Sequence, residues 1–383
     1  MKESDVIIVG GSFAGLTCAR AAATRGLDVV VLERKPEIGY RPHTTGILVK
    51  EAADVLDLPQ TLTRKIAAIR LYAGRAQVDL EAPGYYFTAT DTPGVLRHLA
   101  THAELVGAEI ETGRTFRHSE WSGSGHYLRD LEMQTRFLVG ADGARSLVAG
   151  SQGVPTPQRF LTGVEFEFRG IRGLSADHLH VFLDADLAPG YIAWAFEGVG
   201  IQQIGLAVSG AGDLRRSALF EKLGQYFDFS KAECIGKRGG KIPSGGRRLG
   251  CTLPGALLLG DAAGCVSPVT GGGIHPALLL GRAGGIALAD HLLDNGPHPQ
   301  MLVDSLGPRY ASKRLLRAVW DRFPWLGRVP EWAMTSRCFR AIASAIFFHG
   351  RSPWTLRELI GISAPEVGWE GHPAGKKNRD GTG

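Results

Sequence analysis

Asp5-Val6-Ile7-Ile8-Val9 opens the chain with an apolar run of strand length, and Val29–Leu32 repeats the pattern beyond an alanine-rich stretch that ends near Arg25. The spacing predicts a buried strand, a glycine turn from Gly10 to Gly15, a helix and a second buried strand closing on Glu33. Farther on, Val95, Leu96, Leu99, Ala103 and Val106 recur at helical intervals behind Pro93, and Glu109-Ile110-Glu111 resumes an extended pattern. A Gly-Ser-Gly turn at 123–125 joins strands of a small meander that returns through Phe137-Leu138-Val139. Between Val164 and Val208 apolar and polar positions alternate, as in Val164-Glu165-Phe166-Glu167-Phe168 and Ile201-Gln202-Gln203-Ile204, which predicts a sheet with one solvated face. Leu257-Leu258-Leu259 reads as another buried strand; it ends at Gly260-Asp261, and a glycine-rich turn leads into a helix from about Ile274.

Composition adds a core and a ligand to this picture. A chain of 383 residues, 44% hydrophobic and 21% charged, can bury a large interior. Its 52 glycines cluster near the N-terminus and around 260–285, where backbone would lie against a large flat ligand. The cysteines at 18, 234, 251, 265 and 338 form neither a CxxC pair nor a metal-ligand spacing, so no metal site and no disulfide framework is expected, and a reducing compartment fits. The strand-like start at Asp5 leaves no room for a signal peptide, and no apolar run approaches the ~18 residues of a membrane span, so a cytoplasmic protein, soluble or peripheral, is expected.

The net charge of +5 is unevenly spread. Residues 309–358 hold ten lysines and arginines against Asp321, Glu331 and Glu358, interleaved with aromatic residues such as Trp320, Trp325, Trp332 and Trp354. That mixture suits an anionic membrane surface, and equally a helical layer with a basic solvated face. Nothing in the chain matches a nucleic-acid-binding motif.

Three segments carry candidate chemistry. In the first, Gly10, Gly11, Ser12, Phe13, Ala14 and Gly15 follow a strand and open a helix, with Glu33 ending the next strand. Glycine permits a tight turn and close backbone approach, a helix N-terminus attracts phosphate, and Glu33 can accept hydrogen bonds from a ribose; together they form a dinucleotide cradle, with Ser12 where a middle glycine usually stands. Arg34 faces either the adenine or solvent. The second segment, Gly140-Ala141-Asp142-Gly143-Ala144-Arg145-Ser146, resembles the Asp-Gly stretch of flavoprotein hydroxylases, and the third, Leu259-Gly260-Asp261-Ala262-Ala263-Gly264, resembles the stretch whose aspartate holds the ribityl chain of FAD.

The most specific resemblance lies in Ser267-Pro268-Val269-Thr270-Gly271-Gly272-Gly273-Ile274-His275-Pro276-Ala277-Leu278, which is similar to the flavin loop of geranylgeranyl reductases, enzymes that saturate isoprenoid double bonds. It implies FAD, an α/β (α+β) fold of the glutathione-reductase and para-hydroxybenzoate-hydroxylase type, a cofactor-binding Gly260 beside Asp261, and a flavin ring edge held by Gly271, Gly272, Gly273 and Ile274 at a helix N-terminus that would stabilise reduced flavin. His275 is the candidate catalytic residue, with a packing or capping role as the alternative; His43 and bound water are the other candidate proton sources. Pro189-Gly190-Tyr191-Ile192-Ala193-Trp194-Ala195-Phe196 partly resembles the family's aromatic motif, so Trp194 and Phe196 are expected either to line an apolar tunnel for a prenyl chain or to pack in a sheet core. The sequence departs from the family at Thr45-Gly46, where a Cys-Gly pair is common, and at Thr92, where an arginine is usual.

The order of elements, with the nucleotide lobe resuming at Leu257–Leu259, predicts a discontinuous FAD-binding domain (1–75, 92–155 and 245–300), an inserted antiparallel substrate domain (76–91 and 156–244), a C-terminal helical segment (301–370) and, from its polar composition, a disordered tail (371–383). The resemblance further implies reduction of prenyl C=C bonds with electrons from NAD(P)H or a ferredoxin-like protein, since no second glycine fingerprint is present. The same FAD motifs fit a flavin-dependent monooxygenase acting on an apolar substrate, and the basic C-terminal segment fits an electron-relay flavoprotein.

Overall fold

The computed structural model describes residues 1–155, 159–210, 212, 214–246, 253–323 and 327–348; the expected tail at 371–383 lies outside the described residues, as do Trp325, Trp354, Arg351, Arg357 and Glu358. In chain order the strands are β1 (Lys2–Val9), β2 (Val29–Glu33), β3 (Ile47–Val49), β4 (Thr63–Ile66), β5 (Ala68–Ala73), β6 (Ala76–Glu81), β7 (Phe87–Thr90), β8 (Glu109–Thr112), β9 (Glu120–Trp121), β10 (His126–Leu128), β11 (Met133–Gly140), β12 (Phe160–Arg169), β13 (His178–Phe182), β14 (Ala193–Glu197), β15 (Gln202–Ser209), β16 (Glu233–Pro243) and β17 (Ala256–Leu258). The helices are α1 (Phe13–Thr24), α2 (Lys50–Val55), α3 (Thr92–Glu104), α4 (Leu147–Ser151), α5 (Arg216–Leu223), α6 (Ile274–Asp294), α7 (Pro299–Leu306), α8 (Ala311–Arg322), α9 (Glu331–Met334) and α10 (Arg337–Phe347).

The first sheet runs β8-β2-β1-β11 in parallel; β17 also joins β11 in parallel, and the hairpin β9-β10 adds antiparallel strands at the other end of β11. Parallel strands buried on both faces need continuous apolar runs, and Val6–Val9 and Val29–Leu32 supply them at 6% exposure or less. Helix α1 lies against α6, from the far end of the sequence. The two approach closely because Gly281 and Gly285 face the α1 backbone: a Cβ at Gly281 would come 2.6 Å from the Ala14 carbonyl oxygen, and one at Gly285 would come 2.4 Å from that of Cys18.

The second sheet, β16-β12-β15-β14-β13-β5-β6, is mostly antiparallel, with one parallel pair at β13 and β5. Since β5 spans Ala68–Ala73, this sheet draws in residues before the expected boundary at 75. The third sheet, β3-β7-β4, bridges the other two in sequence.

The expectation of one solvated face on the second sheet is corrected. In β15, Gln203 to Val208 are all buried, and Glu165 in β12 is 4% exposed. One face packs under Phe166, Phe168, Phe182, Phe227 and α5; the other, with Leu179, Val181 and Trp194, is roofed by residues of α9 and α10. Glu165 is tolerated inside because a cation reaches it, as described below.

Candidate active site

The carboxyl ends of β1, β11 and β17 meet at one edge of the first sheet, where α/β folds bind their ligands. Close approach of β1 to β11 is possible because Gly10, at φ +113°, has no Cβ; one placed there would lie 2.3 Å from the Ala141 carbonyl oxygen. A single cavity of about 1300 Å³ begins at this edge and runs beneath the second sheet. That volume exceeds the roughly 300–1,000 Å³ of a pocket for one small molecule, so the space suits two ligands end to end.

Most of the sequence candidates converge on this cavity. Gly10, Ser12, Phe13, Ala14, Glu33, Arg34, Asp142, Gly260, Asp261, Gly271, Gly272, Gly273, Ile274, His275 and Trp194 all line it. Gly15 and Phe196 do not. Gly15 serves packing, since a Cβ there would collide with the Gly10 carbonyl oxygen at 2.0 Å. Phe196 is fully buried in the core beside the cavity rather than at its wall.

The polar end is lined with acceptors. Glu33 takes the Gly11 N–H at 2.8 Å and the Lys35 N–H at 3.0 Å, one on each carboxylate oxygen, leaving lone pairs on both. Asp142 uses Oδ2 to accept from the Leu147 and Val148 N–H groups at the start of α4, while its buried Oδ1 has no partner among the described residues and burial pushes its carboxyl upward. Asp261 has no side-chain hydrogen bond among the described residues, and burial alone raises its carboxyl to about 6. Two acceptors short of donors in a glycine-lined cradle fit a cofactor rich in hydroxyl and amide groups. The N-terminus of α6, 21 residues long and preceded by Gly271–Gly273, opens onto the same space.

At the junction with the second sheet, the Tyr191 hydroxyl donates to the Thr270 carbonyl oxygen at 2.6 Å, tying the aromatic segment to the glycine loop. The His43 ring donates from Nδ1 to the Gly239 carbonyl oxygen at 2.8 Å, because a carbonyl can only accept. Burial lowers the His43 pKa, with Lys35 and Arg34 adding to the effect, so the neutral ring presents only the Nε2 lone pair to the cavity.

The apolar end carries a group that sequence reading missed. Buried Glu165 accepts from Trp194 Nε1 (2.9 Å), Gln203 Nε2 (2.9 Å) and Arg238 Nε (2.7 Å); Arg238, itself 9% exposed, also reaches Glu167 at 3.1 Å. The indole of Trp194 lies over Gly205, where a Cβ would come 2.4 Å from the ring. Trp194 is thereby pinned as a rigid wall opposite Leu179, Val181 and Ile242, and α8 and α10 supply the far wall through Trp320, Phe339 and Ile346.

Family comparison agrees with the nucleotide end of this geometry: the FAD binding domain family matches residues 3–182. The chain is an FAD-dependent oxidoreductase. Digeranylgeranylglycerophospholipid reductase 2 of Methanopyrus kandleri is 30% identical over 313 residues, covering 75% of this chain and 77% of that protein. Its namesake in Methanothermobacter thermautotrophicus is 30% identical over 304 residues, covering 75% and 78%. Among solved structures, a geranylgeranyl bacteriochlorophyll reductase-like protein of Thermoplasma acidophilum overlays 94% of this chain and 99% of its own at a TM-score of 0.76 and 20% identity. A myxobacterial chondrochloren halogenase shares the fold at a TM-score of 0.65 and 18% identity, with 92% and 91% covered. By its reductase relatives the chain belongs to the geranylgeranyl reductase family.

Proposed function

We propose that this enzyme reduces C=C bonds of a prenyl chain of the geranylgeranyl type, carried on a lipid, with FAD at the polar end of the cavity and the chain in its apolar end. The observation that carries the reading is the continuity of the cavity: a cradle for a dinucleotide opens, past the start of α6, into a channel walled by Trp194, Val181 and the C-terminal helices. Bound FAD would supply hydride from its reduced central ring.

In this reading Glu33 accepts from the adenosine ribose, Gly10 to Ala14 lie along the pyrophosphate, Asp261 accepts from the ribityl hydroxyls, and Asp142 offers its unpaired oxygen to the cofactor. Arg34 stands at the adenosine side. Gly271–Ile274 direct backbone N–H groups and the positive end of α6 at the flavin, favouring its reduced, anionic state. An isolated alkene has no carbonyl to polarise, so a proton must accompany the hydride. His43 is a poor acid with Nδ1 committed and its ring held neutral, which leaves His275 or a bound water as the source. Electrons come from an external donor, NAD(P)H or a ferredoxin-like protein.

The basic, aromatic stretch within 309–358 supports peripheral contact with the inner face of the cytoplasmic membrane. Among the described residues, no helix is long and apolar enough to cross a membrane.

The test is anaerobic mixing of photoreduced enzyme with geranylgeranyl lipids, read by mass spectrometry, with an aerobic run alongside. The expected product gains two hydrogens for each bond saturated. An oxygenated product formed only in air would make the enzyme a monooxygenase, and reoxidation by a quinone without any lipid product would make it a relay.

A further inference from the structure

We infer that the exposed face of α8 and α10 docks on an anionic lipid bilayer, and that the mouth of the cavity lies within that face. The inference rests on the prenyl-lipid reading only for the identity of what passes through the mouth.

Three residues locate the opening. Leu316, Val319 and Ile342 line the cavity and are also 41%, 39% and 48% exposed, so they form a rim where the apolar channel meets the surface between the two helices. Around this rim Leu315 is 69% exposed, Phe323 40% and Trp332, on the neighbouring α9, 77%. At 3.6 residues per turn, Leu315, Leu316 and Val319 share an arc of about 100° on α8, and Phe323 follows directly at the end of the helix. The opposite side of α8 is bound to the second sheet: buried Arg317 donates to the Gly190 carbonyl oxygen at 2.8 Å and pairs with Asp321, which also accepts from Ser209 at 2.8 Å. The apolar arc is therefore the side that the fold leaves uncovered among the described residues.

Charge selects the occupant. Residues 309–348 contain eight lysines and arginines and two carboxylates. Both carboxylates are engaged, Asp321 by Arg317 and Glu331 by the Arg75 N–H. Arg314, Arg322, Arg337 and Arg340 are exposed and pair with no carboxylate among the described residues. Of these, Arg322 adjoins the apolar arc of α8 and the others flank it on other sides of the two helices; a second copy of the chain would bring these cations against one another, whereas anionic headgroups would neutralise them while the apolar residues enter the acyl region. With the rim seated in lipid, a long apolar chain passes from bilayer to cavity without crossing water.

The experiment is sedimentation of the full-length, FAD-loaded enzyme with vesicles of phosphatidylcholine alone and of phosphatidylcholine with equimolar phosphatidylglycerol. Binding to the anionic vesicles, weakened by salt, is expected. Leu315→Glu and Trp332→Glu, neither of which lines the cavity, should each reduce that binding by about tenfold or more. Both should leave turnover of detergent-dispersed substrate unchanged while turnover of vesicle-embedded substrate falls in proportion. Absence of vesicle binding, equal binding to neutral vesicles, or binding untouched by both substitutions would overturn the inference. Concentration-dependent dimerisation abolished by Leu315→Glu would also overturn it, by assigning the face to a second copy. Vesicle binding is read without turnover, so an enzyme that binds anionic vesicles yet reduces no prenyl lipid would refute the proposed substrate and leave the docking face standing.

Discussion

Replacing Asp261 with asparagine removes one ionisation from the cavity wall while keeping shape and size. In the FAD-free protein, burial pushes this carboxyl to about 6, against an unfolded value of about 3.9. The folded state then holds the proton more tightly than the unfolded chain. The associated stability is fully present below about pH 4 and is lost as pH rises through 6, a span worth about 3 kcal/mol at 1.36 kcal/mol per pH unit. The FAD-free Asp261→Asn protein should match the wild type near pH 4 and exceed it by up to about 3 kcal/mol at pH 8, measured by denaturant titration. FAD binding should move the other way. Hydroxyl donors on a carboxylate are worth about 1.5–3 kcal/mol, so the variant should bind FAD roughly 10- to 100-fold more weakly at pH 8. That gap should close as pH falls through 6 and the wild-type carboxyl takes up its proton. Fluorescence titration with FAD between pH 5 and 8 measures it. An affinity gap that is absent or independent of pH, together with no gain in FAD-free stability, would refute the assignment of Asp261 to the ribityl chain.

Three further outcomes follow from the geometry. Gly271→Ala sets a Cβ 2.7 Å from the Tyr191 hydroxyl at φ +65°; it should lower flavin affinity by about tenfold, from a left-handed penalty of about 1–2 kcal/mol, and adding Tyr191→Phe should recover part of the loss in a double-mutant cycle. Glu165→Gln leaves Arg238 buried with only Glu167, at a cost of about 3 kcal/mol by thermal unfolding, and should broaden the emission of Trp194, whereas Glu167→Gln at the half-exposed partner should cost under about 1 kcal/mol. Arg317→Met removes the bond from α8 to Gly190 and leaves Asp321 as its tie to Ser209; limited proteolysis should then cut between α7 and α8 faster than in the wild type, and faster still when Asp321→Ala is added, with flavin content unchanged.

The parts of this site that could be read from the sequence are those built from local backbone chemistry. Gly10 to Gly15, Gly260-Asp261 and Gly271–Ile274 each announce a turn into a helix; the first two lie within a few residues of the strand that aims them, and the third opens α6 directly. The apolar end was less legible. Glu165 sits in an alternating stretch that reads as solvated, and its partner Arg238 is 73 residues away in sequence, so no local pattern could mark it as buried. Phe196 shares a strand face with Trp194, yet the cavity ends before reaching it; alternation gives the face of a residue, while the position of the cavity's end depends on helices that arrive from beyond residue 310. The roofing of the second sheet was missed for the same reason on one face, where the cover comes from α9 and α10; on the other face the cover is the nearby α5 and Phe227, which no alternation pattern places.

The close crossing of α1 and α6 has a consequence for how the protein is made. A nascent chain emerges N-terminus first, so β1 and α1 are available early. The strand β17 that pairs with β11, and the helix α6 that packs on α1, begin at Ala256 and Ile274, after the entire second sheet has been synthesised. Until then the flank of α1 that meets α6 and the Leu138–Gly140 edge of β11 stay open, although α3 and β10 already cover the rest, and Asp261 is missing from the cavity wall. In the proposed reading FAD is loaded late, once β17 and the start of α6 have arrived, and a chain that ends before Asp261 would carry the whole glycine fingerprint at its front without the carboxylate proposed to hold the ribityl chain.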